Sequence, residues 1–318
     1  LAADERAREL VRLLSDAGVL VRSRAGRATL SRLGQQRHQL AADAEVWSVV
    51  HDVAGDAWEL LATRTRRAVE VVGAGRTGSS LATMLVAAGV GRVLVRDPGL
   101  VRPQDVAPAG AGTAEVGRPR EEAVRQAQRR LGHRSRPASG LSAPPPDLVV
   151  VVEHAVADAA ATDPLLASDI AHLSVVVGEA GATVGPLVVP GRGPCLRCLE
   201  LQRAERDPGW PQLLAQLLSS RRGTAPEETT CASLTAALAC LQVLGYLDGI
   251  RMPSAVAATL EIELPDGLVS RRSWPAHPAC GCHWPPNRPT ARPSAEGNTA
   301  RIADEPSRDS PVPGRMPL

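Results

Sequence analysis

Apolar residues follow different patterns in successive stretches of the chain, and each pattern predicts a different kind of element. From 4 to 17, Leu10, Leu13, Leu14 and Ala17 recur at helical spacing on a charged background, which predicts an amphipathic helix stopped by Gly18. Val19-Leu20-Val21 then reads as a short strand, so the opening segment is either a small winged-helix-like module or a plain helical preface. Helices at 46–53 and 56–63 lead to a boundary near residue 65. Beyond it, buried-strand runs at 69–72, 92–96, 148–152 and 173–177 alternate with helical patterns at 79–88 and 119–131, where Pro119 suits a first turn. Helices follow at 199–205, 211–219 and 232–247. An apparent hairpin closes the region, with strands at 257–264 and 268–274 joined at Pro265-Asp266-Gly267. After residue 284 Pro, Arg and Ser dominate and apolar residues thin out, which predicts a disordered tail.

These patterns predict an α/β fold: a doubly wound, mainly parallel, Rossmann-like sheet with a C-terminal antiparallel hairpin. Its expected parts are a module at 1–64, a nucleotide-binding domain at 65–284 and the tail at 285–318.

Candidate chemistry starts at Gly73-Ala74-Gly75-Arg76-Thr77-Gly78, which follows the first predicted parallel strand and opens a helix. There Gly73 permits a tight turn, Gly75 lets a phosphate approach the backbone, and Gly78 lets helix and strand pack closely. Asp97, ending the next strand, stands where a ribose hydroxyl is held.

Two cysteine pairs carry the second signal: Cys195 and Cys198 in Gly-Pro-Cys-Leu-Arg-Cys, and Cys280 and Cys282 in His-Pro-Ala-Cys-Gly-Cys. Four thiolates in two close pairs suit a closed, structural zinc site, with disulfides and plain burial as rivals. His277 and His283 flank the second pair as possible replacement ligands or supporting groups. Cys231 begins the late helix, where helix-end N–H groups would depress its pKa, yet its neighbours Ala232, Leu234 and Ala237 mark it, like Cys240, as a core residue. His38, His51, His133, His154 and His172 share no ligand or triad spacing and read as structural or exposed.

Composition removes several alternatives. All 36 basic residues are arginine, which excludes a phosphate-binding or Schiff-base lysine, and the net charge is only +2. Dispersed arginines, no Phe and a single Tyr argue against a nucleic-acid surface. No run of strictly apolar residues reaches the roughly 18 needed to span a membrane, and an acidic helix rather than a signal peptide follows Leu1, so the expected location is the cytoplasm.

Taken together, residues 69–97, Val116-Gly117-Arg118-Pro119-Arg120, the 147–153 strand, both cysteine pairs and the late helix resemble the ThiF/MoeB/HesA superfamily, relatives of ubiquitin-activating enzymes, over about 65–284. The resemblance implies a homodimer that binds ATP with magnesium, adenylates the C-terminal carboxylate of a peptide or small ubiquitin-like protein, and holds a structural zinc. The chain departs from the family pattern at defined places. Gly99 stands where a second aspartate is usual, Asp105 and Pro108 near the usual Asn and Arg, Arg120 for a lysine, and Glu153-His154 near the magnesium aspartate. Against that pattern Arg120, with Arg76 of the glycine loop, is a candidate cation for the nucleotide, and Glu153 a candidate ligand for a hard cation. One alternative is a non-catalytic relative that binds a precursor peptide through its N-terminal module for a partner modifying enzyme. Another, an NAD-dependent oxidoreductase, fits the glycine loop and Asp97 but leaves the cysteine pairs unexplained.

Overall fold

Alternating buried runs become a seven-stranded mixed sheet in the computed structural model, which describes residues 2–16, 31, 33–34, 36–51, 57–132, 144–220 and 226–282. The sequence-predicted strand at 19–21 and the tail at 285–318 lie outside the described residues. The strands are β1 (Ala68–Val72), β2 (Arg92–Arg96), β3 (Leu148–His154), β4 (His172–Val177), β5 (Gly181–Val188), β6 (Ala258–Glu263) and β7 (Leu268–Ser273). Their order is β2-β1-β3-β4-β5-β6-β7. The pairs β1–β2, β1–β3 and β3–β4 are parallel, and the three pairs from β4 to β7 are antiparallel. Edge strand β7 is exposed along its length and carries Arg271 and Arg272, charges that discourage pairing with another sheet.

The longer helices are α1 (Ala2–Asp16), α2 (Ala41–Val50), α3 (Ala57–Arg64), α4 (Arg76–Ala87), α5 (Arg120–Arg130), α6 (Ala159–Ala167), α7 (Leu196–Arg206), α8 (Trp210–Ser219) and α9 (Thr229–Asp248). Helix α1 forms where its periodicity predicts, yet Leu10 and Leu13 on its stripe stay more than half exposed. Helix α9 modifies the membrane expectation: its 20 residues, with a mean hydropathy of 1.6, are long and apolar enough to cross a bilayer. Interspersed Thr, Gln and Gly hid this from a count of strictly apolar residues. Here it is a core helix: its Ala236, Ala239 and Val243 pack with Leu81 and Leu85 of α4 and with Val71, Val150 and Leu173 of the sheet in one buried cluster.

Strand β5 and helix α6 were missed in the sequence because each contains a residue that ordinarily interrupts its type. Strand β5 holds Gly185-Pro186, and its pairing with β4 shifts register between Leu173 and Val175. Helix α6 contains Pro164 and starts at Asp158, whose side chain accepts from the N–H groups of Ala160 and Ala161.

A buried ion pair ties α3 to the end of α9. Arg64 donates to both carboxylate oxygens of Asp248, at 2.8 and 2.6 Å, and to the Ala88 carbonyl at 3.2 Å. The two side chains are 1% and 3% exposed, so removing one partner strands the other's charge away from water. Arg64→Met is expected to lower the unfolding free energy measured in urea by about 3–5 kcal/mol. A loss within experimental error would show that the pair contributes nothing net.

Candidate functional site

In an open α/β sheet, ligands gather where strand order reverses, at the carboxyl ends of the strands. Here β1 is flanked by β2 on one side and β3 on the other, so the crevice lies beyond Val72 and His154. The glycine loop fills that position. Gly73 has φ +91°, and an added Cβ would lie 2.5 Å from the Val152 carbonyl oxygen; one at Gly78 would lie 1.9 Å from the Gly73 oxygen. Both glycines are therefore required by close backbone packing.

Gly75 is the N-cap of α4 and has no side chain to satisfy the orphan N–H groups of the first turn. The acceptor comes from elsewhere. Glu227 Oε2 accepts from the Thr77 N–H at 2.8 Å and from the Thr77 hydroxyl at 2.6 Å. Glu227 Oε1 lies 2.9 Å from His154 Nε2, and because a carboxylate only accepts, that ring nitrogen carries the proton. A Cβ on Gly75 would sit 2.6 Å from the same Oε1. Burial alone would raise the Glu227 pKa, but His154 and the two Thr77 donors outweigh it and hold the carboxyl below its usual value. Arg76 secures the same segment from the other side, donating to the Glu227 carbonyl at 2.7 Å and to the Thr229 hydroxyl at 2.8 Å.

A second group of charges lies beside the loop. Asp97 accepts from the N–H groups of Ala74 at 2.7 Å and Gly99 at 2.8 Å, and from Arg120 at 3.0 Å. Arg120 also donates from Nη2 and Nε to Asp105 Oδ2, at 2.8 and 3.2 Å. Burial opposes ionisation of Asp97, yet the two backbone donors and the guanidinium hold its pKa below normal. Gly99 makes the arrangement possible: a Cβ there would lie 2.9 Å from Asp97 Oδ1 and 3.3 Å from Arg120 Nη1. Glu153, at the end of β3, accepts the Asp158 N–H at 3.1 Å.

The four paired cysteines converge far from this crevice in sequence. Cys195 is the N-cap of α7, Cys198 lies in that helix's first turn, and Cys280 and Cys282 follow β7. The sulfur separations are 3.4 Å for Cys195–Cys280, 3.4 Å for Cys198–Cys282 and 3.9 Å for Cys195–Cys198. All four sulfurs lie within 4.8 Å of one another. These distances are too long for disulfides of about 2.05 Å. They bracket the edge of about 3.8 Å expected for sulfurs around a tetrahedral ion with bonds of about 2.3 Å. The residues present therefore fit a metal ion. Burial and the facing sulfurs push the Cys280 thiol well up and Cys282 up to about 11, so an incoming metal must displace protons. Trp274, 2% exposed, packs in the same cluster as Cys195 and Cys198 and lies beneath the guanidinium groups of Arg203, Arg206 and Arg272. His277 is not a ligand: it bonds Glu205 at 2.8 Å and accepts the Ala279 N–H at 3.1 Å.

Residues 59–136, from α3 through the glycine loop to just beyond α5, match the model of the ThiF family. The matched stretch is ThiF-like. No curated protein matches its sequence. Solved structures share its fold. PaaA superposes with a TM-score of 0.65 at 14% identity, covering 84% of this chain and 92% of that one. E. coli MccB with ATP gives 0.58 at 16%, covering 76% and 73%. E. coli MccB with AMPCPP and MccA gives 0.57 at 18%, covering 72% and 70%.

Of the sequence-predicted residues, the structure brings together Gly73, Gly75, Gly78, Asp97 and Arg120, and the four cysteines as a separate cluster. Arg76 donates from Nη1 to the Glu227 carbonyl and to the Thr229 hydroxyl. His154 corrects the reading of the histidines, since it belongs to the crevice. Glu227 and Thr77 were missed. Their one sequence signal is an acidic pair ahead of a long helix, and it says nothing of a partner 150 residues away. Cys231 is no activated nucleophile: it is buried, the Glu228 carboxylate takes its N–H at 2.8 Å, and burial raises its thiol pKa. Burial likewise pushes Cys240 up to about 12.

The cysteine geometry leads to an expected metal content of one ion per chain by elemental analysis. Removal with a thiophilic chelator, or Cys198→Ser, should lower the thermal midpoint by several degrees. An unchanged midpoint in the metal-free protein would contradict a structural ion.

Proposed function

We propose that this ThiF-family protein recognises a peptide and presents it to a partner modifying enzyme, without adenylating the peptide itself. The observation that carries this reading is the closed charge cluster of Asp97, Arg120 and Asp105. Adenylation needs cations on the phosphates as charge develops in the transition state, and losing one such contact costs about 10²–10³ in rate. Arg120 already answers two carboxylates, and Asp97, which would hold a ribose, is bonded by Ala74, Gly99 and Arg120. With Arg120 committed to two carboxylates, the arrangement favours the reading without adenylation. The peptide partner is suggested by neighbours of the same fold: MccB, the Microcin C7 biosynthetic enzyme, is solved with N-formylated MccA. On this reading the four cysteines hold zinc, which closes the sheet's far end and takes no part in chemistry. A cytoplasmic, homodimeric protein is part of the same proposal.

A second reading is ATP-dependent activation of a peptide or ubiquitin-like carboxylate. The complete glycine loop opening α4, and E. coli MccB of the same fold solved with ATP, favour it.

Fluorescence anisotropy with labelled precursor-type peptides encoded beside the gene, run in parallel with ATP–pyrophosphate exchange, separates the two readings. Saturable peptide binding without exchange is expected. Peptide-dependent exchange would establish the second reading, and no binding by any such peptide would overturn the first.

A further inference from the structure

The first turn of α4 is built as an anion site, and the chain places one of its own anions there. Three contacts hold it in place. The Thr77 N–H and hydroxyl, donors that face an anion at a helix N-terminus, both point at Glu227 Oε2. The space beside Gly75, which a phosphate would enter to approach the backbone, holds Glu227 Oε1 at 2.6 Å from the position of a Cβ. The carboxylate is also anchored from behind, by the Arg76 bond to its own backbone carbonyl and by His154 on its second oxygen. The Glu227 side chain is 6% exposed, and its bonds to the cradle are direct.

From this we infer that Glu227 is a built-in occupant of the glycine-loop anion site, taking the place of a nucleotide's phosphate and excluding it. The occupant carries the charge sign of the ligand it excludes, uses the same donors, and has the advantage of being tethered, so a free polyphosphate competes against an intramolecular rival. The displaced ligand class is a polyphosphate, free or as part of a nucleotide. Removing the carboxylate should uncover a cradle still equipped with the Thr77 donors, the helix N-terminus and the His154 N–H. This inference depends on the cradle alone and stands apart from the proposed peptide role.

Calorimetric titration of the full chain with pyrophosphate and with MgATP tests it, using the wild type, Glu227→Ala and Glu227→Gln. The wild type is expected to bind neither ligand up to millimolar concentration, and E227A to bind pyrophosphate at least about tenfold more tightly. E227A should also have a lowered thermal midpoint that pyrophosphate raises, while the wild-type midpoint does not respond. E227Q keeps the shape of the side chain and an acceptor for Thr77 but drops the charge, so it too should gain affinity, and it carries the test if E227A does not fold. Equal affinity in wild type and variants, or variants that neither bind pyrophosphate nor respond to it thermally, would overturn the inference. Peptide binding by the wild type is read separately, so the failure of one idea is not mistaken for failure of the other.

Discussion

Charge withdrawn from water has to be answered within a few ångströms, and at the mouth of this sheet the chain does so with its own side chains. Where β1, β2 and β3 end, the N-terminus of α4 offers unsatisfied N–H groups and a partial positive charge. Glu227 meets them. Alongside, Arg120 is held between Asp97 and Asp105, all three largely buried. Leaving any of these groups unpaired would cost more than its pairing contributes, because burial penalises each charge separately while attraction appears only when both are present. That asymmetry makes the mouth a closed set in which each group fixes the position of the next.

The departures from the family pattern follow from this closure and are linked to one another. A side chain at Gly99 would press on Asp97 and on the Arg120 guanidinium, so a glycine there and an arginine at 120 form one structural solution. Asp105 completes it by accepting from Nε and Nη2 along the guanidinium's other edge. At the opposite end of the chain, the cysteine cluster joins the start of α7 to the segment after β7, holding the C-terminal strands against the sheet. The arrangement therefore has two fixed points, a charge-closed crevice and a thiol cluster suited to a metal.

Much of the fold was legible because its signals are local. The alternating runs gave β1 to β4, and Pro265-Asp266-Gly267 gave the hairpin, since period and turn chemistry need no distant partner. The cysteine pairs were legible for the same reason: ligand spacing within each pair is a short-range property, and only their convergence required the fold. Strand β5 and helix α6 were hidden by Pro186 and Pro164, each tolerated where tertiary packing overrides a poor local preference. What remained invisible was the state of the site. Gly75 announces a cradle, yet nothing near it in sequence reveals that Glu227 fills it, and His154 acquires meaning only beside that carboxylate. Arg120 could be read as a cation in the right place, but whether it is free or already committed depends on Asp105 and on the absence of a side chain at Gly99.

The central claim is that the glycine-loop anion site of the native chain is satisfied from within. The most direct measurement is the amide ¹H–¹⁵N resonance of Thr77 in the wild-type protein during a titration with MgATP. An amide already bonded to a carboxylate should hold its position from zero to millimolar nucleotide. A saturable displacement of that resonance would show the cradle open to phosphate and contradict the account.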